Sequence, residues 1–197
     1  MKSDIILAGV GGQGILSIAT ILGAAALKDG LYLKQAEVHG MSQRGGDVQS
    51  NLRISSTPIF SDLIPLSKAD LIVSLEPMES LRYLPYLSPE GWIVTSTAPF
   101  INIDNYPDPD DVKAELSNFH NVIAFDMEAI AKEVASPRAS NMVLLGAAAP
   151  FIEIDVDKIE QSIHTVFGSK GEAIVEKNVI AFRKGLEHTR NIINNLK

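Results

Sequence analysis

Apolar residues in this chain alternate between short continuous runs and longer stretches of helical periodicity. The first run, from Asp4 to Val10, has strand length and passes through Gly9, Gly11, Gly12 and Gly14 into an apolar-periodic stretch from Ile15 to Leu27. A strand over 4–10 and a helix over 13–28 are predicted, the helix ending at Lys28-Asp29-Gly30 with Gly30 just past its cap. Leu31 to Glu37 reads as a second strand, and 38–46 as a loop. Val48, Leu52 and Ile54 fall at even spacing, which predicts a half-exposed strand over 47–54. Leu71 to Leu75 is apolar apart from Ser74 and reads as a buried parallel strand. A helix over 78–87, a turn at Ser88-Pro89-Glu90-Gly91 and a strand over 92–96 follow.

Beyond a loop over 102–110, rich in Asn, Pro and Asp, the pattern gives a short helix capped by Asp108 or Asp110, a strand over 121–126 and a helix over 127–135. Ser140 to Ala149 reads as a buried helix of small residues, stopped around Pro150. Asp155 or Asp157 caps a helix reaching Phe167. Ile174, Val175, Val179, Phe182 and Leu186 then recur at three- and four-residue spacing along a long final helix. Neither an internal repeat nor a linker interrupts the series, so residues 1–197 are expected to form a single domain. The alternation predicts an α/β fold: an open, mostly parallel, Rossmann-like sheet with helices on both faces and a ligand crevice at the carboxyl ends of its strands.

Composition narrows the function classes. A net charge of −7 argues against a broad nucleic-acid surface. No apolar run reaches the roughly 18 residues of a membrane span. The start, Met1-Lys2-Ser3-Asp4, lacks the features of a signal peptide, so the cytoplasm is the expected location. The chain contains no cysteine, which excludes a disulfide framework, a thiolate zinc site and ordinary iron–sulfur ligation. In a redox system the electrons would travel on another chain.

The chemistry concentrates in two glycine-bearing loops. Gly9, Gly11 and Gly14 fit G-x-G-x-x-G between strand and helix, Gly12 removes a further side chain, and the helix dipole favours an anion there. The second loop carries Glu37, His39, Gln43 and Arg44 within eight residues, followed by Gly45 and Gly46. A planar guanidinium at Arg44 suits a carboxylate or phosphate, although a surface ion pair is its ordinary role. His39 taken alone reads as a hydrogen-bonding residue at a strand end; with its neighbours it reads as functional. Glu37 stands about twenty residues past the glycines, where an acid would bind ribose, so free NAD(P) binding is the alternative; against it, Glu37 opens a loop crowded with polar groups. Asn141 is either an N-cap or a ligand contact. Asp108, Asp110 and Asp111 fit an exposed turn better than a metal site, and no metal site is expected. His120, His164 and His188 read as surface or cap residues, and Lys177 and Lys184 as a solvated face.

Gly9-Val10-Gly11-Gly12-Gln13-Gly14 and the stretch Glu37 to Gly46 resemble the gamma-type subunits of 2-oxoacid:ferredoxin oxidoreductases, with the nearest likeness to the small (beta) subunit of the indolepyruvate branch. Ser50-Asn51-Leu52-Arg53-Ile54, Asn141 to Gly146, Phe167 to Lys170 and Val175 to Asn178 support it, so the likeness spans most of the chain; nothing is recognised over 98–118. The resemblance places His39 and Gln43 with the arylpyruvate branch. It implies oxidative decarboxylation of an arylpyruvate with coenzyme A, electrons passing to ferredoxin, and a larger alpha subunit bearing thiamine diphosphate and the iron–sulfur clusters. This chain, inactive alone, would complete the site. Gly9, Gly11, Gly12, Gln13, Gly14, Glu37, Gln43, Gly45, Gly46 and Asn141 would contact an anionic cofactor group such as the coenzyme A pyrophosphate, with His39 and Arg44 facing the substrate or coenzyme.

Overall fold

Strand β1 (Lys2–Val10) lies inside the sheet and is buried from Ser3 to Val10. Its alternation divides the core. Ile5 and Leu7 face the larger apolar cluster, while Ile6 and Ala8 face a smaller one with Ile64, Ile72 and Tyr83. The computed structural model describes residues 1–39 and 45–195, with His39 described by its backbone.

Helix α1 (Ile15–Lys28) lays Ile15, Ile18, Ile21 and Leu22 on the larger-cluster face. It stops as predicted: Gly30 takes a positive φ, its N–H donates to Leu27, and the N–H of Leu31 donates to Ala26. This is the paired backbone closure of a helix end that wants glycine just past its cap.

Strands β2 (Tyr32–His39) and β3 (Asp47–Ser55) form a hairpin, and the sheet order is β2-β3-β1-β4-β5-β6 among the described residues. β4 (Ala69–Ser74), β5 (Leu87–Ser96) and β6 (Val122–Phe125) run parallel to β1, whereas β3 is antiparallel to both of its neighbours. The sheet is thus mostly parallel, with one reversed strand.

That strand corrects the half-exposed reading of 47–54. β3 is interior; besides Leu52 and Ile54 on one face, it buries Ser50 and Asn51. Its second face is covered because Asn51 Oδ1 accepts from the N–H of Ile64 and Arg53 forks onto Asp4, opposite it on β1, at 2.8 and 3.0 Å. A period of two reports one apolar face and says nothing about a polar face roofed by another segment.

Two further boundaries move. The helix predicted over 78–87 is α2 (Pro77–Arg82) followed by a 3₁₀ turn, Leu84–Tyr86. The turn predicted at 88–91 belongs to β5, where a register shift pairs Leu87 with Ala69 and Trp92 with Leu71. Gly91 allows it, since a Cβ there would stand 2.9 Å from the Ala69 carbonyl oxygen.

The remaining helices are α3 (Pro109–Ser117), α4 (Met127–Val134), α5 (Ser140–Ala148), α6 (Val156–Phe167) and α7 (Glu172–Asn195), with Asp108, Asp126 and Asp155 capping α3, α4 and α6. α5 and α7 meet at glycines: a Cβ on Gly146 would lie 1.9 Å from the Phe182 oxygen, and one on Gly185 1.9 Å from the Val143 oxygen. No helix among the described residues is long and apolar enough to cross a membrane.

Candidate functional site

Because β3 runs against β1, the start of β3 lies beside the end of β1, with Asp47 opposite Val10. The ladder continues into both glycine turns. The N–H of Gly11 donates to the Gly46 oxygen at 2.8 Å, and the N–H of Gly45 donates to the Gly11 oxygen at 3.3 Å. The described end of the second loop, Gly45 and Gly46, is therefore joined to the first glycine turn at the carboxyl end of β1.

The first turn supplies unused donors. Among the described residues none accepts from the N–H groups of Gly12, Gly14 or Ile15. Gly12 is exposed at φ 102° with nothing within 4 Å of a built Cβ, and Gly14 caps α1 at φ 79° with no side-chain acceptor. Open backbone donors at the positive end of a helix form an anion seat. Gly11 departs from the expectation, because its N–H is taken by Gly46. Gln13 acts on the loop itself: its Oε1 accepts from the N–H of Val10 at 2.8 Å.

Asn141 joins this seat from α5, whose N-cap is Ala139 rather than Asn141. Its Nδ2 donates to the Gly14 oxygen at 3.1 Å and would lie 2.6 Å from a Cβ on Gly14. The residue is only 7% exposed, and its Oδ1 has no partner among the described residues. A buried acceptor left unpaired costs about 1–3 kcal/mol, so it calls for a donor from beyond the described residues.

The second turn is held from the opposite side by residues that the sequence did not single out. Asn102 Nδ2 donates to the Gly45 oxygen. Tyr83 donates its hydroxyl to both oxygens of Asp47 at 3.0 and 2.9 Å. Glu79, buried, accepts from Arg82 at 2.8 and 3.1 Å. Burial raises the Glu79 carboxyl above its ordinary range, the Arg82 hydrogen bonds and charge oppose this, and Asp47 reinforces it. Burial, then the Asp47 charge, holds the Tyr83 hydroxyl protonated well above an ordinary phenol. Glu76, 1% exposed just past β4, accepts from Tyr106 and from the N–H groups of Glu79 and Phe100. One signal for Glu76 was available: an acid just past a buried parallel strand stands where ligand crevices open. Nothing in the local pattern marks Asn102.

Of the other expected residues, Glu37 is exposed near the end of β2, opposite Ser50. β3 separates it from β1, about 10 Å at ordinary strand spacing, so it does not occupy the adjacent-strand position on which the NAD reading rests. Gln43 and Arg44 lie outside the described residues. His39 ends β2 opposite Val48. A cavity of about 290 Å³ lies between α3 and β6 and includes Pro99 and Tyr106 in its lining.

Residues 4–188 match the family model described as pyruvate ferredoxin/flavodoxin oxidoreductase. The chain is 34% identical to the indolepyruvate oxidoreductase subunit IorB of Pyrococcus horikoshii, over 97% of this chain and 98% of that one. It is 32% identical to the 2-oxoglutarate synthase subunit KorC of Methanocaldococcus jannaschii, over 98% and 96%. Among solved structures, it resembles the 2-oxoglutarate:ferredoxin oxidoreductase of Magnetococcus marinus, with 2-oxoglutarate, coenzyme A and succinyl-CoA bound, at a TM-score of 0.75 and 25% identity. The match covers 96% of this chain but 31% of that one, so this chain corresponds to about a third of that longer polypeptide. The gamma subunit of a keto/oxoacid ferredoxin oxidoreductase from Geobacter sulfurreducens matches over 96% of this chain and 99% of its own, at a TM-score of 0.69 and 25% identity. The chain belongs to the pyruvate ferredoxin/flavodoxin oxidoreductase family, as a small subunit of a 2-oxoacid:ferredoxin oxidoreductase.

Proposed function

We propose that this subunit completes the site of an indolepyruvate-type oxidoreductase, in which an arylpyruvate, coenzyme A and oxidised ferredoxin give an aryl-acetyl-CoA, carbon dioxide and reduced ferredoxin. The observation that carries the reading is the joined pair of glycine turns, with open N–H groups at Gly12, Gly14 and Ile15 beside the unpaired Oδ1 of Asn141. A coenzyme A molecule fits that donor set chemically. Its pyrophosphate needs donors at a positive helix end, and its hydroxyl and amide groups can satisfy a buried acceptor. Identity of 34% to subunits named for indolepyruvate supports the aryl substrate.

Thiamine diphosphate and iron–sulfur clusters, held on a larger partner subunit, supply the decarboxylation chemistry and the electron path. This chain's own contribution is binding and orientation. Gly12, Gly14 and Ile15 hold the anionic group, Gly9, Gly11, Gln13 and Gly46 keep the turns in shape, and Asn141 accepts from the ligand. To His39, Arg44, Gln43 and Glu37 the reading assigns contact with the substrate or coenzyme, the Arg44 guanidinium serving as a clamp on a carboxylate or phosphate.

The test is co-expression with candidate large subunits, followed by an anaerobic assay with indolepyruvate, phenylpyruvate and pyruvate. The chain alone should be inactive, and the complex should turn over the aryl substrates with coenzyme A and ferredoxin. Arg44→Ala should raise the KM for coenzyme A or the oxoacid; unchanged kinetics would remove Arg44 from the site.

A further inference from the structure

We propose that Asn102 is a positioning residue for the second glycine turn, and that segment 97–106 is a strap anchored on the buried carboxylate of Glu76. The inference rests on the reading of the glycine turns as the coenzyme-binding element. The strap leaves β5 with the N–H of Thr97 on the Phe125 oxygen at 3.1 Å and that of Ala98 on Ser96 Oγ at 3.2 Å. It is then tied to Glu76 at two points, the Phe100 N–H at 3.4 Å and the Tyr106 hydroxyl. The other oxygen of Glu76 accepts from the N–H of Glu79 at 2.9 Å, where Glu76 caps α2. The carboxylate is thereby fixed to the scaffold and holds the strap at Phe100 and at Tyr106.

Along this stretch Phe100, Ile101 and Ile103 expose their side chains, while Asn102 reaches across to the Gly45 oxygen. A segment that exposes three large apolar side chains while joining a polar one to a backbone carbonyl is shaped by that contact more than by burial. Gly45 gives a second observation. It takes φ 76°, and a Cβ there would lie 3.2 Å from Asn102 Nδ2, so the strap approaches the turn closely. The N–H of Gly45 in turn bonds to Gly11. The chain of contacts is therefore Glu76, strap, Gly45, Gly11, ending at the anion seat.

The decisive variant is Asn102→Asp, which keeps size and shape but replaces the donor with an acceptor facing a carbonyl. In the co-expressed complex, KM for coenzyme A should rise roughly three- to ten-fold, the worth of one exposed hydrogen bond, with kcat changed less than about two-fold. Asn102→Gln, which retains the amide, should recover part of the loss. Tyr106→Phe should act in the same direction, and its effect should be less than additive with Asn102→Asp, because both loosen one strap. Hydrogen–deuterium exchange on the full chain supplies a readout independent of activity: amides of Gly11 and Gly45 should exchange faster in Asn102→Asp, with those of α5 and α7 unchanged.

Unchanged KM together with unchanged exchange at these glycines overturns the proposal. So does a parallel fall in kcat and melting temperature without a KM change, since that marks general destabilisation. Gly14→Ala separates the two levels. If it raises KM while Asn102→Asp is silent in both readouts, the coenzyme site stands and the strap falls. If it too is silent in kinetics, the functional reading fails, and exchange alone then decides whether the strap holds the turn.

Discussion

The backbone of Gly11 exchanges hydrogen bonds with the second glycine turn, donating to Gly46 at 2.8 Å and accepting from Gly45 at 3.3 Å. Two loops separated by a helix and a strand are thus locked edge to edge, extending the β1–β3 ladder past the last paired residues, Val10 and Asp47. The pairing explains why the second N–H of the G-x-G-x-x-G stretch does not wait for a ligand. It serves the architecture, while among the described residues nothing accepts from Gly12, Gly14 and Ile15. Perturbing either turn should disturb the other.

Gly14→Ala and Gly12→Ala should differ although both glycines have positive φ. At Gly12 only backbone strain opposes a methyl, about 1 kcal/mol. At Gly14 the methyl also meets Asn141 Nδ2 at 2.6 Å, so the loss should be larger, about 2–3 kcal/mol. Urea unfolding of the two variants measures the gap; equal losses would mean that Asn141 yields without cost.

Asn141→Leu should separate stability from function. The change removes one hydrogen bond to Gly14, whose oxygen still accepts from the N–H of Ser17 at 3.1 Å, and it also removes the unpaired Oδ1. The two effects offset, so stability should change by less than about 1 kcal/mol. The KM for coenzyme A in the complex should nevertheless rise several-fold. Thermal melts and kinetics on the same preparation decide the matter; unaltered KM would make Asn141 purely structural.

Gly146→Ala or Gly185→Ala should be the most damaging small change in the core. Each Cβ would stand 1.9 Å from a carbonyl oxygen of the facing helix, and backbone cannot swing aside as a side chain can. The expected loss is about 3 kcal/mol or more, read from the denaturation midpoint. Ala147→Gly, in the same buried helix, should cost less, about 1–2 kcal/mol from helix propensity and the lost buried methyl.

Glu79→Gln should alter the pH dependence of stability in a defined direction. Burial raises the Glu79 pKa despite Arg82, so the folded protein holds this proton to a higher pH than the unfolded chain. The contribution is complete below the ordinary value of 4.5 and declines as pH rises through the folded value. Glutamine does not titrate. The variant's stability relative to the parent should therefore increase as pH rises from the ordinary value of 4.5, measured by urea unfolding on either side of it. A flat or falling difference would mean that the ion pair outweighs burial.

Much of the fold was legible locally. The apolar run at 71–75 is a buried parallel strand, Gly30 closes α1, and Asp108 and Asp155, not Asp110 and Asp157, cap α3 and α6. The misreadings share a cause. β3 looked half-exposed because its polar positions face a covering segment through Asn51 and Arg53, and 88–91 looked like a turn because Pro and Gly also serve an irregular strand. Turn chemistry and periodicity describe a segment's own preferences and not what packs over it.

The site divides along the same line. Local order was enough to mark the glycine turns and the helix that begins at Ile15, because backbone sterics and periodic burial act over a few residues. Long-range pairing settled the rest: the reversed strand that joins Gly11 to Gly46, the separation of Glu37 from β1, and the arrival of Asn102 and Asn141 from residues 57 and 127 positions away from their glycine partners. Those contacts depend on which strands and loops satisfy one another's hydrogen bonds at the sheet's carboxyl edge. No pattern within a segment carries that information, since the same asparagine would cap a helix or face water in another setting.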